Sequence, residues 1–139
     1  MMNFWPPFWG AGIHIDRVSS DHSEIDVSLK LTFWNRNYVG TAYGGSLYSM
    51  CDPFIMIILI QKMGRDYIVW DKAASIKFKK PGTKKVFAYF KVTDEQISHF
   101  KEQLKAHDKI EPVFKINVCD SEGLLIAEVE KTLYIRKKD

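Results

Sequence analysis

Five apolar residues, Ile25, Val27, Leu29, Leu31 and Phe33, alternate with Asp26, Ser28, Lys30 and Thr32. This period of two predicts a half-buried strand over residues 25–33. Upstream, residues 13–19 and the polar turn Ser20-Asp21-His22 predict the first arm of a hairpin. From Ser46 to Met63 the pattern becomes helical and strongly apolar, and Gly64 provides a stop. Pro53 lies inside that stretch, removes a backbone donor and restricts Asp52, so a kink is expected there. Strands are predicted over 67–78, ended by Pro81-Gly82, and over 86–92. Thr93-Asp94-Glu95-Gln96 then reads as a capping box opening a helix over 94–107. Ile97, Phe100 and Leu104 share one face of it, and Lys101, Lys105 and Lys109 gather late. Residues 113–118 and 125–135 predict a closing hairpin around Asp120-Ser121-Glu122-Gly123.

A helix that is apolar on nearly every side must be covered on nearly every side. The element order therefore predicts an α+β fold in which one curved antiparallel sheet wraps a long central helix. The 139 residues suffice for one domain, 46% of them hydrophobic and 14% aromatic. Within residues 1–139, residues 1–10 form an aromatic, proline-rich segment and 94–107 an inserted helix.

Charge and cysteine content narrow the function classes. Twenty basic and seventeen acidic residues give a net charge of only +3, which does not argue for nucleic acid. Local basic groups, Lys77, Lys79, Lys80, Lys84 and Lys85, and Arg136, Lys137 and Lys138, could meet a phosphorylated small molecule or simply be solvated. Cys51 and Cys119 lack metal or redox spacing and are expected to be reduced and buried. His14, His22, His99 and His107 show no metal-ligand spacing, and no metal or cofactor is expected. The N-terminus lacks a basic segment followed by an apolar one, so a cytoplasmic location is the default, and the run Phe54–Ile60 is too short to span a bilayer. Phe4, Trp5, Phe8 and Trp9 are expected to pack over a sheet edge, or else to cap an acyl tunnel or lie on a partner subunit.

The candidate chemistry lies in residues 37–52. Gly44 and Gly45 stand where a loop meets a helix, and their N–H groups could polarise a carbonyl oxygen there or merely permit tight packing. Asp52 precedes Pro53, so it reads either as the cap of a restarted helix or as a free functional carboxylate. Asn37 could serve its own loop or a substrate, and Asp71 could be a polar site residue or a lysine-paired carboxylate. Seven residues separate Gly45 from Asp52, about 10 Å along a helix. That is too far for both to flank one carbonyl within one chain.

Asn37-x-x-Gly40-Thr41-x-x-Gly44-Gly45, followed seven residues later by Asp52, resembles the core motif of hotdog-fold acyl-CoA thioesterases of the phenylacetyl-CoA and medium- to long-chain type. The element order resembles that fold over residues 11–136, and the chain looks like an uncharacterised branch of the superfamily. The resemblance implies a homodimer, or a tetramer of two such dimers, with sites at the dimer interface and an acyl-CoA or other acyl thioester as substrate. By the same resemblance the Gly44 amide is the oxyanion donor, Asn37 orients water or thioester, and Asp52 is general base or nucleophile. Gly45, Tyr43, Asp71, Lys79 and Lys80 would contact the substrate.

One position departs from the family pattern. Its enzymes usually carry His before the paired glycines, whereas this chain has Tyr43, whose phenol donates a hydrogen bond but is no base near neutral pH. That disfavours hotdog dehydratase chemistry. It also keeps two rivals to the thioesterase reading open: a non-catalytic acyl-ligand binding module, and a structural dimerisation domain whose Asp52 is only a cap.

Overall fold

The computed structural model describes residues 2–139. A 3₁₀ turn (Met2–Phe4) and helix α1 (Pro6–Ala11) lead into strands β1 (Ile13–Val18) and β2 (Glu24–Leu29). Helices α2 (Gly44–Ser49) and α3 (Phe54–Met63) follow, then β3 (Tyr67–Phe78), β4 (Val86–Lys91) and helix α4 (Asp94–Ala106). The short β5 (Lys109–Ile110) and the long β6 (Val113–Asp120) and β7 (Leu125–Lys137) complete the chain. All strand pairs are antiparallel. The sheet runs β1-β2-β4-β6-β7-β3, with β5 added to β7. The expected α+β arrangement is therefore present, and β7 joins its halves by pairing with β6, β5 and β3.

The central helix supplies the core. Met50, Cys51, Phe54, Ile55, Ile58, Leu59 and Met63 are buried against Val27, Leu29, Phe90, Val118, Val129 and Leu133 of the sheet. The expected kink is a full interruption, with α2 and α3 separated by residues 50–53 and α2 starting at Gly44 rather than Ser46. By length and composition Gly44–Met63 could cross a membrane, unlike the shorter run Phe54–Ile60. Here that stretch is broken in the middle and packs on the sheet.

The end of β2 differs most from expectation. β2 stops at Leu29 instead of reaching Phe33, because the Asn35 amide donates to Lys30 O (2.7 Å) and Ala11 O (3.0 Å) while accepting from Thr32 N (2.7 Å). The backbone partners that would continue the ladder are thereby taken by a side chain. At the N-terminus Phe8 is buried against Phe54, with ring centroids 5.8 Å apart, and Trp5 meets Phe8 edge-on. Phe4 and Trp9 stay exposed, so only part of that aromatic segment packs. Cys51 is buried as expected, but Cys119 is only half-buried because it sits where the β6–β7 register shifts.

Helix α4 opens with the expected reciprocal cap: Thr93 Oγ1 accepts from Gln96 N (3.1 Å) and Gln96 Oε1 accepts from Thr93 N (2.8 Å). Thr93→Ala removes one of these bonds and should cost about 1 kcal/mol in urea denaturation. The helix covers Phe114 through Phe100 in an edge-on contact.

Candidate functional site

At the interruption between α2 and α3, four side chains from four parts of the fold converge. Lys131 lies in β7 among Ala127, Val129, Leu133 and Ile135, which share its inward register, and its side chain is fully buried. A lysine is rarely buried unless its charge is met. Its Nζ donates to the Asp52 carbonyl, lies 3.3 Å from Asp52 Oδ1 and stands 2.8 Å from Asp71 Oδ1. The pair with Asp71 is ionic rather than a directed hydrogen bond. Asp71 projects from β3 beside a bulge that shifts the β3–β7 register between Asp71 and Ala73. Tyr48, near the end of α2, donates its hydroxyl to Asp52 Oδ1 (3.1 Å), and its ring lies 5.8 Å from the Lys131 ammonium.

Asp52 is thus not a helix cap. Pro53 occupies the cap position of α3, and no side chain caps that helix. The Asp52 side chain is 51% exposed. Oδ1 takes both donors, and Oδ2 has no hydrogen-bond partner among the described residues. Burial, with the Asp52 carboxylate beside it, pushes the Tyr48 phenol up, so Tyr48 stays a neutral donor throughout the physiological range. Burial likewise pushes the Cys51 thiol up to about 12, which excludes a thiolate nucleophile at neutral pH.

The other predicted residues gather at the opposite end of α2. Asn37, Gly44, Lys79 and Lys80 line an open groove of about 460 Å³ together with Thr41, Phe78 and Gly82. The groove exists because Ala42 N donates to Gly82 O (2.8 Å), while the N–H groups of Lys79 and Lys80 both reach Ile126 O (2.8 and 3.1 Å). Tyr43 O accepts from Ser46 N and Leu47 N, which leaves the Gly44 and Gly45 amides without an acceptor among the described residues. The Tyr43 ring lies over Gly45, where a Cβ would come within 2.5 Å of it. A Cβ on Gly44 would stand 2.9 Å from the tip of the exposed Phe78 ring, which can swing aside. Gly44→Ala should therefore cost less than about 1 kcal/mol in thermal denaturation.

Asn37 spends its amide on its own loop. Its oxygen accepts from Val39 N (3.1 Å) and Thr41 N (2.9 Å), and its nitrogen donates to Thr41 Oγ1 (2.8 Å). The fold thus forms two groups within one chain, Asn37-Gly44-Lys79-Lys80 and Asp52-Asp71. Sequence reasoning missed Lys131 and Tyr48. For Lys131 the signal was a lone lysine in the inward phase of the apolar alternation of β7. For Tyr48 it was the spacing of four to Asp52, one helical turn.

The profile of a domain of unknown function, DUF4442, matches residues 1–135, nearly the whole chain. The chain belongs to the DUF4442 family. No curated protein matches it by sequence. Among solved structures, a Pseudomonas aeruginosa protein of unknown function, designated a probable thioesterase, has a TM-score of 0.79 at 15% identity, covering 91% of this chain and 84% of its own. A Chlorobaculum tepidum protein of unknown function gives 0.74 at 17% identity, with coverage of 99% and 90%. A Haemophilus influenzae thioesterase gives 0.69 at 13% identity, with coverage of 98% and 86%. At these identities the likeness establishes the fold: this DUF4442 member has the hotdog architecture of its thioesterase neighbours.

Proposed function

We propose that this protein is an acyl-CoA thioesterase acting as a homodimer, with each site built from both subunits. The observation that carries the reading is Asp52, held at Oδ1 by Tyr48 and Lys131 and left free at Oδ2. In this reading Oδ2 takes a proton from water and the resulting hydroxide attacks the thioester carbonyl. The Gly44 amide of the other subunit receives the oxyanion, and collapse expels the CoA thiolate, which leaves as the thiol after reprotonation. Asp52 could instead attack directly and form a mixed anhydride that water then opens. Gly44 and Asp52 stand at opposite ends of one helical stretch, so two antiparallel copies would bring one of each together twice. β3 supports such pairing, since it ends the sheet with one edge open along twelve residues. Lys79 and Lys80 beside the groove suit the phosphates of the carrier.

A non-catalytic acyl-CoA binding module is the second reading, favoured by Asn37, whose amide is committed to its loop. Hydrolysis of short-, medium- and long-chain and aryl acyl-CoAs by wild type and Asp52→Asn separates the two. Turnover that depends on Asp52 supports the enzyme, and acyl-CoA binding without turnover supports the module. The cytoplasmic location remains part of this proposal.

A further inference from the structure

We propose that Lys131 is a positioning residue for Asp52, and that Asp71 balances its charge so that Asp52 is held without being locked in an ion pair. This rests on the reading of Asp52 as the group that acts on the thioester. A lysine ammonium has three protons and no acceptor capacity. In this fold Nζ donates to the Asp52 carbonyl and to Asp52 Oδ1 at 3.3 Å, and it faces the charge of Asp71 Oδ1 at 2.8 Å. The carbonyl contact matters because the helix is broken there: the first backbone bond of α3 runs from Ile57 N to Pro53 O, and no backbone N–H reaches the Asp52 carbonyl among the described residues. One side chain thereby secures both the backbone and the carboxylate of the same residue.

Both donors to the Asp52 carboxylate, Lys131 Nζ and the Tyr48 hydroxyl, meet it at Oδ1. The orientation of Oδ2 is then set by β7 beneath the helix, together with the last turn of α2, rather than by the exposed turn itself. The charges are also matched to a proton-accepting role. The groups facing Asp52 are Tyr48 from α2, Cys51 from the turn, Asp71 from β3 and Lys131 from β7. With both thiol and phenol neutral, two carboxylates and one ammonium leave a single negative charge. A proton arriving at Asp52 cancels that charge and leaves the closer Lys131–Asp71 pair intact. Without Asp71, the ammonium would turn wholly to Asp52.

The rival explanation is that Lys131 serves only as the partner that keeps Asp71 from being stranded. Lys131→Met and the double variant Lys131→Met/Asp71→Asn separate the two, because the double variant removes both charges together. In the full chain, kcat and KM would be measured on the acyl-CoA that wild type hydrolyses fastest, alongside amide hydrogen exchange over residues 50–57. The expected result is a double variant with wild-type denaturation, kcat lower by about 100-fold, KM within about twofold, and faster exchange around the interruption. Recovery of kcat in the double variant overturns the proposal, and so does unchanged exchange, whatever happens to kcat. A wild type that hydrolyses no acyl-CoA removes the catalytic reading of Asp52, and exchange alone then decides whether Lys131 holds that turn. Should the double variant fail to fold, Asp71→Asn alone is read: slower turnover upholds the charge-balancing role, and unchanged turnover overturns it.

Discussion

Asp52→Asn should lower kcat for acyl-CoA hydrolysis by about 10²–10⁴-fold, the usual worth of a positioned proton acceptor. The substitution is nearly isosteric. Its amide oxygen can still accept from Tyr48 and Lys131, while the nitrogen in place of Oδ2 can take no proton. Stability should change little, because the carboxylate caps no helix and is half exposed, and Lys131 keeps Asp71 as its counter-charge. Steady-state kinetics checks the first part, and size-exclusion chromatography with thermal denaturation the second. A folded, dimeric Asp52→Asn protein with wild-type turnover would remove Asp52 from the chemistry and return attention to the groove beside Gly44.

Phe54→Ala should be the most damaging single change to the fold, costing about 3–5 kcal/mol. Phe54 begins α3 directly after the interruption and is fully buried. Its ring lies 5.1 Å from that of Phe90 on β4 and 5.8 Å from that of Phe8 on α1. Truncation would open a void at a point where the N-terminal segment, the central helix and the sheet meet, and close packing there allows little collapse. In a domain whose whole stability is on the order of 5–15 kcal/mol, that loss should lower Tm by roughly 10–15 °C. The contrast is Trp9→Ala in the same N-terminal segment. Trp9 is 76% exposed, and the change should stay within about 0.5 kcal/mol.

The fold was legible where one periodicity dominated. β2 and α4 announced themselves by alternation and by a capping box, and both stand where expected apart from their ends. Three features escaped, each for a reason of its own. Phe33 continues the alternation of β2, yet Asn35 takes the backbone groups that would extend the strand. β5 has only two residues and exists by pairing with β7, so no local pattern marks it. Helix α1 is six residues long, and its prolines and aromatics suggested packing rather than helix. The site divides in the same way. Asp52, Gly44 and Asn37 were visible as a spaced motif, whereas Lys131 is seventy-nine residues from Asp52 and joins it only through the folded sheet. A buried cation among β-branched and aliphatic residues could have been flagged from alternation alone, but its partner could not.

The place of β7 in the sheet also bears on how the protein reaches this state. Residues 127–137 pair with residues 67–78, so the contacts that close the sheet on the β3 side join segments some fifty to seventy positions apart. Closing such large loops comes at an entropic cost before any contact rewards it, which slows folding relative to helical domains. Until β7 arrives, Ile58, Leu59 and the rest of the apolar helix stay uncovered on one side, and β3 stays unpaired along both edges. The final strand therefore ends the period in which a chain of this design is most exposed to self-association, and slowing its docking would lower the yield of refolded protein even where the finished structure is unchanged.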